Sequence, residues 1–206
     1  MRKTEKYVGT KFRTIFICRE APQDDRIREL IKWCQIFHEL GLTPIVNGHS
    51  MGNLSFRVGK ERSEFIITAS GIGPKNMISQ EFFVKVVNCD FENKMVYVCG
   101  LREPSSESML HYRIYQLRND VNAIFHGHDD EITKHAKEIE ATETKEWHPY
   151  GTIELVKSVE NVLSESNFIV IKQHGFLSLG RSMDEAGRRA VAMKKRVKEV
   201  IDTLHG

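Results

Sequence analysis

One nine-residue stretch, Asn122 to Asp130, constrains this chain more than any other part of it. Its first four residues, Asn122 to Phe125, are typical of a buried strand, and His126 and His128 follow with one glycine between them. Alternate residues of a strand point to the same face, so the two imidazoles are predicted to emerge together, about 7 Å apart along the chain. Two histidines in this arrangement can bind one divalent ion, although surface or core histidines give the same pattern.

Length and composition place the chain among ordinary globular proteins. Its 206 residues are enough for one large core, so we expect a single domain over residues 1–206, in which residues 1–22 form an N-terminal extension with room for one strand. The 30 basic and 28 acidic residues give a net charge of +2, which predicts no nucleic-acid or membrane partner. The four cysteines form no CxxC pair and are predicted to be reduced thiols in a cytoplasmic protein.

Apolar periodicity and turn signals predict a mixture of strands and helices. The predicted strands are Arg13 to Cys18, Leu54 to Val58, Glu64 to Thr68, Phe82 to Asn88, Lys94 to Cys99, Asn122 to Phe125, Phe168 to Gln173 and Phe176 to Leu179. The predicted helices begin near Asp25, Pro104, Ile132, Thr152 and Ser182. Such a mixture, with a hairpin near the end, favours a layered α/β domain with a mixed or antiparallel sheet.

Polar clusters stand at the ends of these predicted elements rather than inside them. They are Gly52-Asn53, Ser70-Gly71, Ser105-Ser106-Glu107 and the histidines, including His174 between the last two strands. Glycine turns, serine hydroxyls and a helix N-terminus can together bind an anion. Each cluster taken alone is also compatible with an ordinary turn or cap, and Glu107 with a residue that complements a helix dipole.

Taken in order, these clusters resemble one superfamily. The motifs GN-x-S-x-R, T-x-SG, PSSE, HxH, YGT-x-EL and HG occur from Gly52 to Gly175 in the order found in class II sugar-phosphate aldolases, the superfamily of fuculose-phosphate aldolases, ribulose-phosphate epimerases and adducin heads. The resemblance covers roughly Asp25 to Leu204. It implies a three-layer α/β/α sandwich with a central mixed, largely antiparallel sheet, assembled as a homotetramer with sites at subunit boundaries.

The resemblance also implies a chemistry. His126, His128 and His174 match the ligands of Zn²⁺ or another divalent cation, and Glu107 matches the catalytic acid/base. The phosphate of a small phosphorylated sugar is implied to bind at Gly52, Asn53, Ser70, Gly71, Ser105 and Ser106. The implied activity is that of a metal-dependent aldehyde-lyase of carbohydrate metabolism. It cleaves a ketose 1-phosphate to dihydroxyacetone phosphate and an aldehyde through a metal-stabilised enediolate.

The chain departs from this pattern between the HxH and YGT motifs. That span is short, holds no tyrosine before Tyr150, and begins with three acidic residues, Asp129 to Glu131, which we expect to repel a second anionic group. Two alternatives therefore stay open: a sugar-phosphate dehydratase of the methylthioribulose-phosphate type, and a non-catalytic adducin-head-like module. His111, one helical turn after Glu107, is predicted either to orient that carboxylate or to be a hydrogen-bonded core residue.

Overall fold

The computed structural model describes residues 8–59, 63–164 and 166–205. The strands are β1 (Arg13–Cys18), β2 (Ile45–Val46), β3 (His49–Ser50), β4 (Asn53–Arg57), β5 (Phe65–Thr68), β6 (Phe83–Asp90), β7 (Met95–Cys99), β8 (Ala123–Gly127), β9 (Thr142–Glu143), β10 (Phe168–Ile171) and β11 (Gly175–Gly180). The α-helices are α1 (Ile27–Glu39), α2 (Ser108–Leu117), α3 (Asp130–Lys134), α4 (Ile153–Leu163) and α5 (Met183–His205).

Nine of the strands form one sheet, in the order β1-β7-β6-β5-β4-β8-β11-β10-β9. The outermost pairs, β1 with β7 and β9 with β10, are parallel, and the pairs between them are antiparallel. The predicted mixed, largely antiparallel sheet is therefore confirmed. β2 and β3 form a separate hairpin around Asn47 and Gly48, both with positive φ, as a tight two-residue turn requires.

Helices cover both faces of this sheet. α1 and α3 each pack against α5 over β4, β8 and β11, whereas α2 and α4 pack together over β6 and β10. The predicted three-layer α/β/α arrangement is thus confirmed. No helix among residues 8–59, 63–164 and 166–205 is long and apolar enough to cross a membrane.

α1 shows how the core positions the histidine strand. Its buried residues include Leu30, Trp33 and Phe37, which recur at the three- to four-residue spacing of one helix face. The rings of Trp33 and Phe37 pack on Phe125 of β8 at centroid distances of 5.9 and 5.4 Å. Each such fully buried side chain contributes about 1.5–3 kcal/mol of transfer free energy. The residue immediately before His126 is therefore fixed by the core.

The structure corrects the prediction that all four cysteines are reduced. Cys18 and Cys99 are register partners on the parallel strands β1 and β7, and they form a disulfide with a Cα–Cα distance of 4.6 Å. Their separation of 81 residues hides this pairing in the sequence. Cys34 and Cys89 are buried and free, as predicted. The prediction of a cytoplasmic location rested partly on four reduced cysteines, and the Cys18–Cys99 bond removes two of them from that argument.

Two predicted helices begin or end elsewhere. The helix predicted from Ile132 to Glu140 is only the five-residue α3, whose N-terminus is capped by the Asp129 carboxylate, and turns follow it up to Glu140, which has a φ of 55°. The helix predicted to begin at Pro104 begins at Ser108, because residues 105–107 form the turn that precedes it. That later start places Glu107 at the helix N-cap position.

Candidate active site

Three histidines converge at the middle of the sheet. His126 lies on β8 and His128 directly after it, and His174 lies in the loop between β10 and β11. Nε2 of His126 lies 2.9 Å from Nε2 of His128 and 3.3 Å from Nε2 of His174, and one ligand atom from each residue lies within 4.8 Å of the others. Nitrogens bound tetrahedrally to one zinc ion at ~2.0–2.1 Å stand about 3.4 Å apart. The cluster therefore has the dimensions of a single-ion site.

Close approach between β8 and β11 brings the third histidine to the other two. A Cβ placed on Gly175 would overlap the carbonyl oxygen of Gly127 and lie 3.0 Å from Cε1 of His126. Only glycine fits at that position without moving one strand away from the other. The glycine of the HG motif thus serves the metal site by letting the neighbouring His174 come close.

A backbone hydrogen bond selects the ring tautomer of His126. Its Nδ1 lies 2.8 Å from the carbonyl oxygen of Phe176, which can only accept, so Nδ1 carries the proton and donates it. The lone pair is then on Nε2, which points into the cluster. A metal-ligating histidine commonly has its other ring nitrogen engaged in this way.

Glu107 joins the cluster from the N-cap of α2. Its Oε2 lies 3.0 Å from Nε2 of His126, and its Oε1 lies 3.2 Å from Nε2 of His174. Three imidazole nitrogens and a carboxylate face one another at these distances, so positive charge from protons or a cation is needed between them. The donor set therefore fits a divalent ion.

The charge state of Glu107 follows from the same surroundings. Burial by itself raises the pKa of Glu107, but the positive charge of the His126 and His174 imidazoles, when protonated, outweighs burial and lowers that pKa well below its usual value. A divalent cation bound in place of those protons also lowers the pKa of Glu107. Asn53 donates a 2.9 Å hydrogen bond from Nδ2 to Oε2 of Glu107, which fixes one carboxylate oxygen. The group is thus held as a carboxylate.

One cavity contains the remaining predicted site residues. Its wall includes Glu107, His128 and His174. It also includes all six residues of the predicted anion site, which are Gly52, Asn53, Ser70, Gly71, Ser105 and Ser106. The structure thus brings together residues from the start of β4, the turn after β5, the turn before α2, the residue after β8 and the β10–β11 loop. Asn53 differs from the prediction in one respect, since its amide nitrogen is directed to Glu107.

Two motif residues serve the core rather than the cavity. Arg57 is 4% exposed and donates to the carbonyl oxygens of Tyr115, Arg118 and Val121. The Ser55 hydroxyl lies 2.8 Å from Nδ1 of His111 and 2.8 Å from the hydroxyl of Tyr115. The structure therefore places these parts of the GN-x-S-x-R motif in the packing between β4 and α2.

His111 also lies in this network. Its side chain is bonded to Ser55, and its hydrogen bond to Glu107 runs only through the backbone, from its N–H to the Glu107 carbonyl. Burial lowers the pKa of His111 to about 3, so the ring is neutral. Of the two predicted roles, the hydrogen-bonded core histidine matches these contacts.

The acidic residues after the HxH motif lie outside the cavity wall. The Asp129 carboxylate accepts hydrogen bonds from the Glu131 and Ile132 N–H groups and from Nζ of Lys194, at 2.7 Å in the last case. It is a neutralised helix cap. The expectation that these acids repel a second anionic group therefore has no support in the geometry.

Sequence reasoning missed several residues of the cavity. His49 and Val46 reach it from the β2–β3 hairpin, and Trp147 and Tyr150 reach it from the segment after β9. The hydroxyl of Tyr150 accepts a 2.8 Å hydrogen bond from the N–H of Val8, which ties the N-terminal segment to the cavity wall. The Asn47-Gly48 pair was a usable signal for the hairpin. A buried lysine behind this wall, Lys75, gave no signal, because a lysine after Gly-Pro is typical of an exposed turn.

The fold and the site define a class: an α/β/α sandwich with a three-histidine cluster beside a cavity lined by glycine and serine. Residues 28–201 match the family model for the Class II Aldolase and Adducin N-terminal domain, and the chain belongs to this family. The resemblance stated from the sequence motifs is thereby confirmed.

Individual relatives agree with this assignment. An L-fuculose phosphate aldolase from Methanococcus maripaludis is 26% identical over 174 residues, which cover 78% of this chain and 87% of that enzyme. The structure of an L-fuculose 1-phosphate aldolase gives a TM-score of 0.73 at 26% identity, over 90% of this chain and 89% of the other. A sugar-phosphate aldolase from Thermotoga maritima gives a TM-score of 0.72 at 17% identity, over 88% and 95% of the two chains, and supports the fold alone.

Proposed function

We propose that this protein is a zinc-dependent aldolase that cleaves a ketose 1-phosphate to dihydroxyacetone phosphate and an aldehyde. One observation carries the proposal: His126 lies 2.9 to 3.3 Å from His128, His174 and Glu107, and these three residues line a cavity together with Ser70, Ser105 and Ser106. A non-catalytic module has no use for a buried carboxylate among three imidazoles, because that arrangement is costly without a cation.

His126, His128 and His174 would hold the metal. Three histidines leave a fourth position open for substrate, which is the pattern of a catalytic rather than a structural zinc site. A divalent cation bound there would act as a Lewis acid for the carbonyl and hydroxyl oxygens of the ketose. The hydrogen bond from His126 Nδ1 to the Phe176 carbonyl keeps that ring oriented with its free nitrogen inward.

Glu107 would move the proton. Its lowered pKa makes it a carboxylate at neutral pH, able to accept a proton and to return it to carbon. Asn53 positions one of its oxygens through the 2.9 Å hydrogen bond.

The glycine and serine turns would bind the phosphate. Ser70, Gly71, Ser105 and Ser106 line the same wall, and small residues allow backbone N–H groups and hydroxyls to approach an anion closely. We further propose a cytoplasmic homotetramer with sites at subunit boundaries, on the grounds of the family alone.

The test is a panel of ketose 1-phosphates incubated with the zinc-loaded protein, with release of dihydroxyacetone phosphate as the readout. At least one substrate should release it, and Glu107→Gln should lower that release by roughly 10²–10⁴-fold while zinc content stays unchanged. Loss of water without dihydroxyacetone phosphate would instead identify a dehydratase. No turnover of any sugar phosphate by fully metal-loaded protein would support the adducin-head-like alternative.

A further inference from the structure

A buried lysine lies directly behind the anion-binding wall. Lys75 begins the 3₁₀ turn Lys75–Met77, is 1% exposed and is not itself part of the cavity lining. Its Nζ donates to the Ser50 hydroxyl at 2.7 Å and to the carbonyl oxygens of Gly52 at 3.0 Å and Met51 at 3.3 Å. Ser50, Met51 and Gly52 line the cavity. The ammonium is therefore separated from the cavity by the thickness of one turn.

In the described part of the chain, no carboxylate balances the charge of this ammonium. Its three N–H groups all go to neutral acceptors, and no carboxylate within residues 8–59, 63–164 and 166–204 forms an ion pair with it. Burial of an unpaired charge is costly. Accordingly, burial lowers the pKa of Lys75 to about 8.

Cys34 and His49 are the titratable side chains whose charge bears on Lys75 among the described residues. Cys34 of α1 acts on it electrostatically, but burial raises the pKa of that thiol to about 12, so it is neutral near pH 8. His49 of β3 precedes Ser50 in the chain, and its Nδ1 lies 3.2 Å from the carbonyl oxygen of Gly71. Neither supplies a negative charge to the ammonium.

Lys75 also sets the direction of the peptide groups in the wall. The peptide bonds of the described chain are trans, so the C=O of Met51 and the N–H of Gly52 point in opposite directions. Since the Met51 carbonyl points at Lys75, the Gly52 N–H points away from Lys75, and both residues line the cavity. The turn is thus both anchored and polarised by the ammonium.

We propose that Lys75 is the cationic component of the anion site, a positioning residue whose ammonium acts through the Ser50–Gly52 turn on a dianionic phosphoryl group in the cavity. The inference rests on the proposed function, in which that group is the phosphate of the sugar substrate. A bound dianion supplies the counter-charge that the ammonium lacks, so Lys75 stays protonated to higher pH in the complex than in the free protein. Anion affinity is therefore coupled to the charge of Lys75.

The competing explanation is that Lys75 only holds the turn by hydrogen bonds. A neutral amine keeps two of the three N–H donors, so a purely structural role predicts that Lys75 still supports the turn at high pH and that its advantage over Lys75→Met persists there. Sulfate separates the two explanations, because it remains a dianion across pH 7 to 9.5 and cannot itself cause a pH dependence. Any difference in pH dependence between the parent and a Lys75 variant then comes from residue 75.

The experiment measures the sulfate dissociation constant of the zinc-loaded protein by calorimetry at several pH values, for the parent and for Lys75→Met. We expect the parent to bind about 10-fold more tightly at pH 7, and this ratio to fall towards about 1 by pH 9.5 as Lys75 loses its proton. His49→Gln, which changes a cavity residue next to Ser50 on the β2–β3 hairpin, should keep the pH dependence of the parent. A ratio near 1 at every pH, or a ratio that stays constant with pH, overturns the proposal.

Two further measurements keep the test decisive. Circular dichroism and zinc content test whether Lys75→Met is folded. If it is unfolded, Lys75→Arg replaces it. The permanent charge of the arginine should give a sulfate affinity that does not fall relative to the parent at high pH. An affinity of Lys75→Arg that falls with pH as steeply as that of the parent overturns the inference. A parent that binds neither sulfate nor inorganic phosphate at millimolar concentration overturns the anion site of the proposed function instead.

Discussion

Asn53 donates a 2.9 Å hydrogen bond to the Glu107 carboxylate, across 54 residues of chain. The first residue of β4 thus holds the N-cap residue of α2, which packs on the other side of the sheet from α1. Asn53 lies beside Gly52 in the predicted phosphate-binding turn, so the turn and the proposed base are mechanically connected. A ligand that moves the turn will therefore also move the Glu107 carboxylate through this hydrogen bond.

Metal content is the first prediction. Protein purified without added metal is expected to contain about one divalent ion per chain, most often zinc, and His174→Ala should lose at least tenfold in zinc affinity, because one of three ligands is removed. Mass spectrometric metal analysis gives the stoichiometry. His148→Ala, outside the cluster, is the matched control and should keep its metal; equal metal loss in both variants would argue against the site.

Glu107→Gln is expected to keep the fold and the zinc but to lower turnover by roughly 10²–10⁴-fold, the range for loss of a general acid or base. The amide preserves the shape but cannot take a proton. The direct measurement is exchange of the carbon-bound proton of dihydroxyacetone phosphate in deuterated water, which requires the base and no aldehyde. A variant that exchanges as fast as the parent would show that Glu107 is not the base.

Anion binding is best tested at Ser70 rather than at Gly52. A Cβ on Gly52 would lie 2.5 Å from the carbonyl oxygen of His126, and Gly52 has a φ of +74°, so Gly52→Val should disturb the metal site as well as the turn. Ser70→Ala removes one hydroxyl from the cavity wall without that clash. We expect it to weaken inorganic phosphate about 3- to 10-fold, as loss of one hydrogen bond does, with zinc affinity unchanged. Isothermal titration with each ligand measures both, and a parallel loss of zinc would count against a separate anion site.

Acid sensitivity should originate in part from His111. Its pKa is about 3 in the folded protein against an ordinary value of 6.5, so the unfolded chain binds a proton that the folded chain does not. Its contribution to stability is complete above pH 6.5 and is lost as the pH falls towards 3, by about 1.4 kcal/mol per pH unit. Urea denaturation of the metal-free proteins should show that the free energy of unfolding falls more steeply with decreasing pH in the parent than in His111→Gln over this window. Equal pH dependence of the two free energies would contradict the prediction.

Assembly is the last prediction. Light scattering at micromolar concentration should report four chains per particle if the proposed homotetramer forms. Sites at subunit boundaries further require that dilution to the dissociated state lowers activity per chain. A monomer with full activity would rule out shared sites and leave the cavity of one chain sufficient.

Much of this architecture could be predicted because it is local. The period of α1, the cap of α5 by Ser182 and the strand that carries His126 each depend on neighbouring residues alone. The histidine cluster followed from the alternation of side chains on β8, together with the family resemblance for His174.

What could not be predicted depends on strand pairing. The Cys18–Cys99 bond requires β1 to lie beside β7, and the burial of Lys75 requires the 3₁₀ turn to pack under Ser50. Arg57 likewise belongs to a motif that suggests a site, yet its partners are three backbone carbonyls from α2 to Val121 that come together only in the folded sheet. No pattern within a short window encodes these contacts.

The sheet order has a consequence for how the molecule folds. β4 pairs with β8 across about 70 residues. This pairing joins one half of the sheet, β1-β7-β6-β5-β4, to the other half, β8-β11-β10-β9. Closing so long a loop is slow relative to forming the hairpins on either side, because contacts distant in sequence repay their entropy late. Asn53 stands in one half and His126 in the other, so neither half alone can build the site. Recovery of zinc-dependent activity during refolding should therefore follow the slowest phase, while helical signal returns earlier.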